Sequence, residues 1–307
     1  MERIHITDVA PRDGLQNQRV QVPTEAKLEL IRLLAEAGVQ SVEATSFVSP
    51  KAVPQMADAA KLVPLLTAAL PDLRCSVLVP NLKGLERAHA AGAQEIAVVL
   101  SATETMNRKN INMGLTEATE VSEQTLAAAH RLGLRTRAYV AVAFDCPFEG
   151  TTPLAEVVRL AARMHQAGAG EIVIADTIGS ASPAQVKERL AALRDAVPVA
   201  QLAVHLHDTR GMAVANAWAA LEAGVRRFDA SVGGIGGCPF APGAAGNVAT
   251  EDLVLMAAQS GFETGISTDR LIDAVDFAEA QLQRPLGGRA INWLRRQREK
   301  ARQPQEA

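Results

Sequence analysis

One arrangement of apolar and polar positions recurs along this chain: an Ala-rich helical stretch, a glycine, about two linking residues and a short β-branched run. It appears as LLAEAGVQSVEAT ending at Thr45, AHAAGAQEIAVVL ending at Leu100 and AHRLGLRTRAYVAVA ending at Ala143. It returns as MHQAGAGEIVIAD ending at Asp176 and ALEAGVRRFDASV ending at Val232. In each copy the glycine (Gly38, Gly92, Gly133, Gly168, Gly224) falls where a helix C-cap needs a left-handed residue. Residues 3–8, 74–79 and 201–205 complete eight strand candidates that alternate with helices. Short apolar strands between amphipathic helices predict a parallel sheet with both faces covered.

Eight such units with no linker midway predict a closed (β/α)₈ TIM barrel of the α/β class rather than an open sheet. An open sheet is expected to carry a phosphate fingerprint after its first strand. Here that strand runs into PRDGLQNQ, which has neither G-x-G-x-x-G nor G-x-x-x-x-G-K. Helical patterns at 250–260, 268–283 and 290–302 predict C-terminal helices packed on the barrel. The expectation is one catalytic domain over 1–307, with the barrel at about 3–260 and the extra helices at about 261–302.

Composition narrows the function classes. The 307 residues are 48% hydrophobic and 21% charged, enough for a large core. A net charge of −3 and only seven Phe, two Trp and one Tyr argue against nucleic acid as a partner. The longest uncharged run, 230–250, is rich in Gly, Pro and Asn and is no lipid-spanning helix, so no membrane partner is expected. Three scattered cysteines fit a reducing compartment, and residue 1 leads almost directly into a strand, so the expectation is a cytoplasmic protein.

Barrel enzymes work at the C-terminal ends of their strands, and polar residues gather there. They are Arg12 and Asp13 after the first strand, and Glu43, Thr45 and Ser46 at the second. The fifth offers Asp145, the sixth Asp176 and Thr177, and the seventh His205, His207 and Asp208. Side chains two apart on a strand share a face, so the H-x-H pair can offer both imidazoles to one ion. The same pair also suits two hydrogen-bonded histidines at a strand end; the barrel mouth and nearby carboxylates favour a metal. Asp13 would supply a hard oxygen, and Arg12 a fork of donors for a developing oxyanion. RDG is equally an ordinary turn sequence. Glu43 and Asp176 serve as well in rim salt bridges. The loop at 233–247 holds six glycines in fifteen residues around Cys238, a candidate mobile acid/base. Cys75 and Cys146 are expected to be packing residues. Arg108 and Lys109, read as a loop after the fourth strand, are candidates to attract phosphates at the mouth, although a solvated basic loop would look the same.

Taken together, PRDGLQNQ, SFVSPKAVPQMAD, NLKG, RKNIN, DTIG, AVHLHDTRG and GGCPFAPGAAGNVATEDLV resemble the 3-hydroxy-3-methylglutaryl-CoA lyases over about residues 3–260. The resemblance implies retro-Claisen cleavage of an acyl-CoA. It implies a divalent ion, Mg²⁺ or Mn²⁺, held by Asp13, His205, His207 and Asn247. Arg12 would stabilise the thioester enolate and Cys238 and Asp176 would move protons, with Glu43, Gln16 and Ser46 supporting the site. A homodimer is also implied. Arg210 and Met212 depart from the Tyr and Gln of many lyases in HDTYGQA, and Val173 stands where Ser is common. These departures leave open a related 3-hydroxy-3-alkylglutaryl-CoA as substrate. A Claisen-condensing synthase shares RDG and H-x-H-D but lacks the cysteine loop. An amidohydrolase-type barrel would carry H-x-H on its first strand, and a scaffold protein would have no use for the intact site residues.

Overall fold

The computed structural model describes residues 2–237 and 246–302. Eight strands form the expected barrel: β1 (His5–Asp8), β2 (Ser41–Ser46), β3 (Arg74–Leu78), β4 (Glu95–Ser101), β5 (Arg135–Ala141), β6 (Glu171–Asp176), β7 (Leu202–Leu206) and β8 (Arg227–Ala230). Every pairing is parallel, each strand lies beside its neighbours in sequence, and β8 closes on β1 with Asp229 opposite Thr7. This is a TIM barrel.

Helices α1 (Thr24–Glu36), α2 (Ala59–Ala69), α3 (Leu82–Ala90), α4 (Glu104–Ile111) and α5 (Leu115–Arg131) serve the first half. Helices α6 (Leu154–Gln166), α7 (Pro183–Leu193), α8 (Ala213–Glu222) and α9 (Thr250–Gln259) serve the second. Helices α10 (Thr268–Leu282) and α11 (Ile291–Arg302) are the additions, α10 packing on α1 and α9 and α11 on α10. The strands are buried on both faces because the helices cover one and the barrel interior the other: Val42, Ile96, Val140, Ile172, Ile174 and Val204 are fully buried under the helices. The five repeat glycines all have positive φ, between 71° and 99°, so each is the left-handed cap that only glycine adopts cheaply.

Asp8 ties the closing seam. One carboxylate oxygen accepts the amide of Ala10, and the other accepts the Val232 amide and the Thr250 hydroxyl. One buried side chain thus joins the end of β1, the end of β8 and the start of α9. Among the described residues no helix is long and apolar enough to cross a membrane.

Candidate metal centre at the barrel mouth

The turn after β1 is a single π-type turn, Ala10–Gly14, which holds Arg12 and Asp13 over the mouth. Such turns recur at functional sites. His205 lies in β7, and His207 follows it, bridged by its backbone to Asn247. One ligand atom each from Asp13, His205 and His207 lies within 4.8 Å of the others. Asn247 donates from Nδ2 to Asp13 (2.9 Å) and to the Ile235 carbonyl (3.0 Å), while its Oδ1 is buried without a partner.

Each imidazole is held by its other nitrogen. His207 Nδ1 meets the Asp176 carbonyl at 3.0 Å, and His205 Nδ1 meets Asp229 at 3.1 Å, leaving both Nε2 atoms for the site. Burial and the neighbouring His205 push His207 down to about 4, so its lone pair is available at neutral pH. Burial alone would lower His205, but Asp229 and Asp13 raise it. Burial alone would raise Asp13; the Arg12 charge and the two imidazoles hold it below the usual carboxylate range. The orphaned Asn247 oxygen, the ionised Asp13 and two free Nε2 atoms form a mixed oxygen and nitrogen set that fits a divalent cation.

Arg12 is buried and oriented on both sides. Its Nε and Nη2 reach Glu43 at 2.6 and 2.5 Å, and its Nη1 reaches Asp13 at 2.8 Å. Gln16 donates to the same Asp13 oxygen. Glu43 sits within β2 rather than at its end, with one carboxylate oxygen unpartnered, and burial raises it despite Arg12. A cleft of about 220 Å³ opens over these groups, lined by Arg12, Asp13, Gln16, His205, His207 and, from the sixth strand's end, Thr177.

Other expectations meet the structure differently. Both Asp176 oxygens accept backbone amides, from Ser180 and Ala181, so its carboxylate braces the turn after β6 instead of facing the cleft. Ser46 is buried at the end of β2 with its hydroxyl unpartnered. Arg108 and Lys109 are in helix α4, not in a loop: Arg108 pairs with Glu104 at 2.6 Å, and Lys109 lies over the Phe148 ring. Cys238 lies outside the described residues, although Gly237, its immediate neighbour, lines the cleft. Cys146 is buried against Thr103, and burial pushes the Cys75 thiol up to about 12, consistent with packing. Sequence reading missed Asn110 and Tyr139, which line the cleft, and Asp229, which holds His205. The string FDASV at the eighth strand did carry a carboxylate level with the histidines.

Fold and site together define a TIM-barrel enzyme class with a candidate divalent-metal centre at the C-terminal mouth. The HMGL-like family model matches residues 3–278, and the chain belongs to that family. A mitochondrial hydroxymethylglutaryl-CoA lyase of Rattus norvegicus is 46% identical over 276 residues, spanning 90% of this chain and 85% of that protein. The crystal structure of an HMG-CoA lyase from Brucella melitensis superposes with a TM-score of 0.88 at 44% identity, covering 92% of this chain and 100% of that one. An HMG-CoA lyase from Acinetobacter baumannii, solved with coenzyme A and 3-methylmalate, gives 0.89 at 38% identity over 99% of this chain and 97% of its own.

Proposed function

We propose that this protein is a carbon–carbon lyase that cleaves 3-hydroxy-3-methylglutaryl-CoA to acetyl-CoA and acetoacetate. The observation that carries the reading is the convergence of Asp13, His205 and His207 beside an oriented Arg12 in one cleft, in a chain 46% identical to a hydroxymethylglutaryl-CoA lyase. Asp13, His205, His207 and Asn247 would hold the ion, with Mg²⁺ or Mn²⁺ suiting two oxygens and two imidazoles where water fills the remaining positions. When bound, such an ion acidifies the tertiary hydroxyl of the substrate.

The chain's own residues supply the rest. Arg12 keeps one N–H on each terminal nitrogen beyond those given to Glu43 and Asp13, and these meet the thioester oxygen as it takes on enolate charge. Gln16 holds Asp13 in place, and Glu43 holds the guanidinium plane. Ser46, at the end of the same strand as Glu43, completes the support of the acyl group. Cys238, one residue beyond the cleft-lining Gly237, delivers the proton to the enolate carbon. With its oxygens committed to backbone amides, Asp176 positions His207 through its carbonyl. Arg108 and Lys109 on α4 draw the CoA phosphates toward a cleft that Met106 and Asn110 of the same helix line.

None of the three departures from the lyase pattern lines the cleft. Val173 is buried with Ala97, Tyr139 and Ala203 inside the barrel, and Met212 and Arg210 are exposed, with Arg210 donating to the Ser180 carbonyl. This supports the 3-methyl substrate over a longer 3-alkyl homologue. Relatives include mitochondrial and cytoplasmic forms; we assign this chain to the cytoplasm from its reducing-compartment cysteine usage, and to a homodimer by family likeness. The test is to incubate purified protein with HMG-CoA and Mg²⁺ or Mn²⁺ and assay acetoacetate. Stoichiometric acetoacetate and acetyl-CoA, abolished by EDTA, is the expected result; no acetoacetate from folded, metal-loaded protein overturns the reading.

A further inference from the structure

Barrel interiors are ordinarily filled with layers of branched aliphatic side chains. Beneath this cleft the interior carries charge instead. Arg137, in the middle of β5 with a side chain 2% exposed, donates from Nε to Glu171 (2.7 Å), from Nη1 to the Tyr139 hydroxyl (3.0 Å) and from Nη2 to Asp229 Oδ1 (2.6 Å). The Tyr139 hydroxyl donates to Asp229 Oδ2 at 2.7 Å, and the same oxygen faces His205 Nδ1 at 3.1 Å. Buried ion clusters of this kind are often no more stabilising than apolar residues of equal volume, so stability alone does not account for it.

The proton inventory gives it a direction. Arg137 has only donors, and Tyr139 spends its one proton on Asp229. Asp229 accepts Arg137 at Oδ1 and Tyr139 at Oδ2, so both of its oxygens serve as acceptors. The contact with His205 is therefore made by an Nδ1–H, and the Nε2 lone pair is turned toward Asp13, 4.0 Å away.

We propose that Arg137, Tyr139 and Asp229 are positioning residues, a buried column that sets the tautomer and orientation of His205 and presents its Nε2 to the mouth of the barrel. This rests on the metal-centre reading of the site and not on the identity of the substrate.

Asp229→Asn keeps the volume but leaves one oxygen for two donors below. Arg137 and Tyr139 claim it, the amide NH₂ turns to His205, and the ring is forced to carry its proton on Nε2. In metal-free protein at alkaline pH, where His205 is neutral despite the carboxylates that raise it, ¹⁵N NMR of the histidines is expected to show it as Nδ1–H in the native chain and Nε2–H in Asp229→Asn. Calorimetry is expected to show Mn²⁺ affinity reduced about 10- to 100-fold. Tyr139→Phe keeps every charge and is expected to retain the native tautomer with a smaller loss of affinity. An unchanged tautomer and affinity in folded Asp229→Asn, or an Nε2–H His205 in the native chain, overturns the proposal. The second readout holds even where Asp229→Asn does not fold. Absence of Mn²⁺ binding by the native chain removes the metal-centre reading instead, and the NMR readout still decides the column.

Discussion

Arg12 illustrates what a single residue contributes before any ligand arrives. Its guanidinium is clamped between Glu43 and Asp13, so the remaining N–H groups point in fixed directions. Preorganised donors of this kind account for about 10²–10³-fold in turnover when one is lost. Arg12→Lys keeps the charge but replaces a rigid fork with a flexible point donor. We expect kcat for HMG-CoA cleavage to fall about 10²-fold or more while Mn²⁺ binding survives, measured by steady-state kinetics beside calorimetry. A variant with near-native kcat would show that charge alone, not geometry, serves the enolate. At this scale the sequence was uneven. Asp13, His205 and His207 were legible because RDG and H-x-H fall at strand ends. Arg137 and Tyr139 were not: both faces of a barrel strand are buried, so the alternation in RTRAYVA does not tell inside from outside. Asn110 was passed over because the neighbouring charges of RKNIN drew the reading to Arg108 and Lys109.

Among the elements, strands and major helices were readable because the glycine at each helix end punctuates the repeat. Two elements that carry cleft residues were not. The π-type turn Ala10–Gly14 reads as an ordinary turn, since nothing in PRDG signals its bonding. Helix α4 has little apolar periodicity to read, with only Met106 and Asn107 buried. The repeat glycines, alike in sequence, differ in what surrounds them. A Cβ on Gly133 (φ 71°) meets nothing within 4 Å, whereas one on Gly38 (φ 99°) would lie 2.2 Å from the Gly265 carbonyl oxygen, which joins α1 to the segment before α10. Gly133→Ala is expected to cost about 1–2 kcal/mol, the price of a left-handed Ala. Gly38→Ala carries that cost plus a backbone clash, so its loss in denaturant unfolding should clearly exceed that of Gly133→Ala. Equal losses would mean the α1–α10 contact yields freely.

For the whole molecule, the metal centre and the fold are linked, because the four proposed ligands come from three separated parts of the chain: the turn after β1, β7 with its extension, and the start of the segment leading into α9. A ligand that binds only the folded state at 100 times its Kd stabilises by about 2.7 kcal/mol. Mn²⁺ at that excess is expected to raise the thermal midpoint by several degrees, reversed by EDTA; an identical midpoint with and without the ion would show that the site does not form in the folded state. The seam braced by Asp8 sets the order in which this can happen. Asp13 and its partner Asn247 stand 234 residues apart, and β1 gains its neighbour β8 only when nearly the whole barrel exists. During synthesis, then, the first strand emerges with one edge bare and waits for the last. The nascent chain can set Arg12 between Glu43 and Asp13 early, but the proposed ligands come together in one step, when the two ends of the barrel meet.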